Sequence, residues 1–216
     1  LVQLFIRGMN SALTPWMYSK IKKGDIRSMR KVLQLLSIVV VGIAVALMLI
    51  SPELVLIFGS PKYREAVYVI PPVAASVFFI FIYNILSMPQ FYYEKTQFLM
   101  VASMAAAGAN VVLNFIFIRL FGYIAAGYTT LACYMLYSVG HYIVSKRILV
   151  NEGIQENLMN PGFLLACSVF LIGASIICNL IFPYRILRYA ILLASAGLVF
   201  WKKELLLKTM ADIRKK

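Results

Sequence analysis

Residues 32–50 read VLQLLSIVVVGIAVALMLI, an almost unbroken apolar run long enough to cross a hydrocarbon core as a helix. No soluble fold can bury several such runs end to end. Further runs occupy residues 66–89, 97–118, 123–144 and 163–182, and a shorter, weaker one covers 186–201. Residues 1–18 make another, whose first residue already lies inside the apolar stretch. The chain therefore reads as a fragment of a longer protein. Composition agrees, with 62% hydrophobic and 13% charged residues against roughly a quarter charged in soluble domains. Continuous apolarity, in place of short alternating segments, argues against a β-barrel. The fold class expected is an all-α polytopic membrane protein.

Lys and Arg collect in cytoplasmic loops, so their placement predicts topology. Fifteen basic residues, in the loop between residues 20 and 31, at Lys95, at Lys146 and Arg147, and in the tail from Lys202, fall on one side. Five fall on the other, Lys62, Arg64, Arg119, Arg185 and Arg188. The bias puts the first loop and the C-terminus in the cytoplasm. The net charge of +13 is accordingly a topology signal, and its spread over separate loops without a recognition motif excludes nucleic acid as a partner. Membrane lipids are the expected surroundings.

All eight acidic residues lie in loops or at span ends. Lipid-phosphate enzymes need carboxylates to hold a metal or move a proton, and the chain carries no HExxH, GxSxG or phosphate-loop motif. It reads as a protein without catalytic residues, metal or cofactor. Cys133, Cys167 and Cys178 sit in spans without ligand-like neighbours, and read as buried small residues.

The spans do carry neutral polarity on helical faces. Gln3, Arg7, Asn10 and Thr14 follow steps of four, three and four, one stripe of a helix. Asn110 and Asn114 share a line with Ser103 and Ala107; Tyr134, Tyr137 and His141 form a third with Ser138. Polar groups in lipid are costly, so these faces should meet other helices or a wet cavity. Interhelical packing is the plainer reading for the two asparagines, and a neighbour or headgroups for His141. A cation as deep as Arg7 is a candidate functional residue, with snorkelling as its rival. Pro15 should end or bend the first span. Pro71, Pro72 and Pro89 should kink or end the span at 66–89.

Three segments carry a resemblance. LVLIFGSPKYREAVYVIPPVA (54–74), the N..LN and G..AAG..T pattern within GANVVLNFIFIRLFGYIAAGYTTLACYMLY (108–137), and SALTPWMYSKIKKGD (11–25) are similar to segments of Wzx-type polysaccharide flippases of the MATE-like MOP exporter superfamily. The likeness covers the chain up to about residue 144, and the last two spans are generic. It implies a C-terminal lobe of the MATE-like fold, residues 1–144, an additional helix pair with a basic tail, residues 145–216, and an absent N-terminal lobe as partner. It also implies alternating-access export of polyprenyl-diphosphate-linked oligosaccharide, for O-antigen or capsule, across a bacterial cytoplasmic membrane. Asn, Gln, Thr and Tyr stripes would serve the sugars and Arg7 the diphosphate. The alternatives are a drug or cation antiporter or peptidoglycan-precursor flippase of that superfamily, and, in another class, a polysaccharide-assembly enzyme.

Overall fold

The computed structural model describes residues 2–59 and 61–201, with the side chains at 2–7, 61–63, 196 and 198–201 outside that description. The helices are α1 (Val2–Lys22), α2 (Ile26–Leu49), α3 (Ser51–Phe58), α4 (Ile70–Tyr92), α5 (Gln97–Phe121), α6 (Ala125–Asn151), α7 (Pro161–Ile181) and α8 (Arg185–Trp201). A 3₁₀ segment, Pro61–Tyr68, links α3 to α4, and no strand occurs among the described residues.

Local chemistry sets the helix ends. Asp25 caps α2 by accepting from the Ser28 N–H at 3.3 Å. Asn160 caps α7 by accepting from Gly162 and Phe163, with Pro161 in the first turn. Gly122, at φ 76°, stops α5 in a conformation that side chains disfavour. None of Pro15, Pro71, Pro72 and Pro89 stops a helix, the stronger of the two effects expected of them. Pro71 and Pro72 open α4, where a missing N–H costs nothing. The run at 66–89 thus starts its α-helix only at Ile70, after the 3₁₀ segment. Pro15 and Pro89 lie inside helices that continue to Lys22 and Tyr92.

Helix α4 is the centre of the bundle. It touches α1, α2, α6 and α7, and its Phe78, Phe81, Ile82, Ile85 and Leu86 are almost wholly buried. Its broadest contact is with α6. Gly127 permits that approach: a Cβ there would sit 2.8 Å from Pro72 Cγ and 2.9 Å from the Val69 carbonyl oxygen. Helix α7 packs on α2 and α4, and α8 on α2 and α7. Helix α5 is different, since it leans on α6 and buries none of its residues fully. Its other flank presents Met100, Met104, Val111, Phe115 and Leu120.

Four of these helices, α2, α4, α5 and α7, are long and apolar enough to cross a membrane. Helix α8, at 17 residues, is short for a span, and α6 dilutes its apolarity with Thr, Tyr, Ser and His.

Polar contacts gather at two ends. At one, Lys20 meets Asp25 at 2.6 Å, Arg27 and Arg30 meet Glu156 at 3.3 and 3.2 Å, and Lys95 meets Glu152 at 2.7 Å. The basic loops expected to share a side do so. Lys20 and Ser28 hold the Asp25 carboxyl below its ordinary value. At the other end Tyr123 donates to Glu65 and Arg188 pairs with Glu53. The basic tail, residues 202–216, lies outside the described residues.

Candidate functional site

An open groove of about 360 Å3 runs between α4, α5 and α6, lined by Tyr83, Ser103, Ala106, Ala107, Asn110, Thr130, Cys133, Tyr134 and Tyr137. Helical repetition produces it. On α5 the positions 103, 106, 107 and 110 recur every three or four residues, as do 130, 133, 134 and 137 on α6, so each helix gives one face. The two alanines leave room where larger side chains would close the space.

Aromatic packing shapes one wall. Tyr83 and Tyr134 lie nearly parallel with ring centres 6.2 Å apart, and Tyr137 meets Tyr83 edge-on at 4.7 Å. The Ser103 and Tyr137 hydroxyls are 2.8 Å apart, tying α5 to α6. Asn114 donates to Asn110 Oδ1 at 2.9 Å, and the Thr129 hydroxyl donates to Asn114 Oδ1. Asn114 is thereby used in packing. The chain fixes Asn110 Oδ1 as an acceptor and leaves its N–H donors without a protein partner among the described residues.

His141 lies next along the α6 face, and is fully buried. Its Nδ1 stands 2.8 Å from Gln90 Nε2, which also donates to the Leu86 carbonyl. Nδ1 must then accept, so the ring proton belongs on Nε2. That Nε2 and Gln90 Oε1 are buried without partners among the described residues. Tyr137 stacks edge-on over the His141 ring at 4.5 Å. His141 therefore supports the groove from beneath and meets a neighbouring side chain, the first of its two expected surroundings.

Of the nine predicted residues, Asn110, Tyr134 and Tyr137 line the groove, with Asn114 and His141 one step behind. Asn10 and Thr14 belong elsewhere. The Thr14 hydroxyl donates to the Asn10 carbonyl at 2.8 Å and lies 3.6 Å from the Met88 sulfur, on the face of α4 that meets α1. Asn10 Oδ1 is buried without a partner among the described residues. The side chains of Gln3 and Arg7 lie outside the described residues.

Tyr83 and Gln90 went unnoticed in the sequence. They are seven residues apart on α4, with Ser87 between, so their shared face was legible by spacing. Ending the span at Pro89 put Gln90 outside it and broke the pattern.

Comparison of the chain with protein-family models, with curated proteins and with solved structures finds no match.

Proposed function

We propose that this chain is the C-terminal lobe of a MATE-like transporter that moves polyprenyl-diphosphate-linked oligosaccharide from the cytoplasmic to the outer leaflet for surface polysaccharide assembly. The observation that carries the reading is the groove between α4, α5 and α6, where hydroxyls, an amide and aromatic faces meet at membrane-helix depth. Sugars present both hydroxyls and apolar C–H faces, so a wall of Tyr83, Tyr134 and Tyr137 beside Asn110 suits them. A lipid-linked substrate also needs a sideways exit for its tail. The lightly packed α5 offers a movable flank.

The basic end faces the cytoplasm, and a second lobe covers the far side of the cavity. Arg7 serves the diphosphate as a charge-assisted donor. The chain acts as a carrier and performs no bond chemistry, in a bacterial cytoplasmic membrane.

The test is restoration of surface polysaccharide in flippase-deficient cells by the full-length protein. Tyr134→Ala with Asn110→Ala should cut export on the order of thirtyfold, given about 1 kcal/mol for each of the two lost contacts with sugar, at unchanged protein level. Arg7→Ala should impair it, with Arg7→Lys partly active. Full export by every variant, or restoration of drug efflux in place of polysaccharide, would contradict the reading.

A further inference from the structure

A second pocket, of about 380 Å3, lies at the end opposite the basic loops, between α3, the 3₁₀ segment and the α7–α8 turn. Leu56, Val67 and Phe182 contribute apolar walls, and Arg64 and Arg185 two guanidinium groups. It shares no residue with the groove between α4, α5 and α6.

The charges in it are uneven. Glu53 also lines the pocket, but both of its oxygens are occupied by Arg188 at 2.9 Å, and one also accepts from Tyr189. Among the described residues Arg64 has no ion-pair partner, and Arg185 meets the Tyr189 hydroxyl and ring, at 3.4 and 5.6 Å, and feels the Glu53 carboxylate only beyond ion-pair distance. With Glu53 already engaged by Arg188, the apolar-walled recess holds more guanidinium charge than its one carboxylate balances. Only five of the chain's basic residues fall at this end, so finding two of them here is the opposite of a diffuse charge bias.

The neighbouring helix adds an apolar edge. On α3, Leu56, Ile57 and Phe58 are 74, 71 and 80% exposed, an apolar edge that water would not tolerate on a short surface helix but a headgroup region would. An apolar edge beside guanidinium groups is the surface that suits a headgroup region.

We infer that this pocket binds the phosphate of an anionic bilayer phospholipid, with Arg64 and Arg185 as the phosphate-binding residues and Leu56, Val67 and Phe182 against its chains. Guanidinium forks match phosphate oxygens, and the walls exclude a ligand that is all charge. The inference needs only a membrane around the chain and does not depend on what the groove carries.

Native mass spectrometry of the full-length protein, titrated with phosphatidylglycerol or phosphatidylcholine, tests it. Phosphatidylglycerol should be held on the order of tenfold more tightly, as expected for two interfacial arginines. Arg64→Gln with Arg185→Gln should remove that preference, and Arg119→Gln, at the same end but outside the pocket, should keep it. Both substitutions leave the two members of the Arg188–Glu53 pair in place, and an unchanged unfolding temperature will establish that the fold persists. Inorganic phosphate in large excess should leave the lipid bound. Equal retention of the two lipids, an unaltered preference in the double variant, its loss in Arg119→Gln, or displacement by inorganic phosphate would overturn the inference.

Discussion

Arg188 is more deeply buried than the carboxylate it pairs with, its side chain 4% exposed against 25% for Glu53. It also donates to the Leu49 carbonyl at 2.6 Å, joining α8 to the C-terminal end of α2. The asymmetry makes the two halves of the pair unequal to remove. Glu53→Gln strands a buried cation and should cost about 3 kcal/mol. Arg188→Met leaves a carboxylate that can reach solvent, and should cost nearer about 1 kcal/mol. Thermal unfolding in detergent measures both. The Arg188 hydrogen bond, with help from Tyr189 against the opposing effect of burial, brings the Glu53 carboxyl from 4.5 to about 2. A carboxyl depressed on folding adds stability that is complete above its ordinary value and lost as pH falls through the folded one. Hydrogen exchange should therefore show α8 losing protection as pH drops from 4.5 toward about 2 in the wild type. Glu53→Gln should be flat across that window.

At the scale of elements, apolar length and spacing made most of the helices legible. The runs at 97–118 and 163–182 appear as α5 and α7 with boundaries moved by three residues or fewer, and that at 32–50 as α2, which starts six residues earlier at Ile26 behind the Asp25 cap. Charge bias also grouped the loops that share an end. Pairing between helices was not legible. Asn10 and Thr14 share a stripe as surely as Asn110 and Asn114 do, yet one stripe meets α4 and the other α6, a choice made by close approach and not by periodicity. Gly127 makes part of that choice. Gly127→Ala should push α6 from Pro72 and the Val69 carbonyl, neither of which can yield, and destabilise by about 1–3 kcal/mol. Gly42→Ala, with nothing within 4 Å of its Cβ, should instead gain up to about 1 kcal/mol. The same unfolding assay separates them, and equal effects would show that the α4–α6 approach is not tight.

For the whole molecule, the two polar ends give the bundle a direction, and the proposed function requires the basic loops to face the cytoplasm. In a background lacking Cys133, Cys167 and Cys178, Lys23→Cys should react with an impermeant maleimide only in inside-out vesicles. Arg119→Cys should react only in intact cells stripped of their outer membrane. Labelling of both from one side would reverse part of the chain. The proposed function requires the groove between α4, α5 and α6 to be a wet path for substrate. Helix α5 tests it most directly, because Asn110 lines the groove while Val112, 56% exposed, lies off it on the same helix. In the same cysteine-free background of the full-length protein, Asn110→Cys should react with a water-soluble maleimide in native membranes. Val112→Cys should not, and added lipid-linked oligosaccharide should slow the reaction at position 110. Asn110→Cys as inert as Val112→Cys would mean that the groove faces lipid, and the account of it as a substrate path would fail.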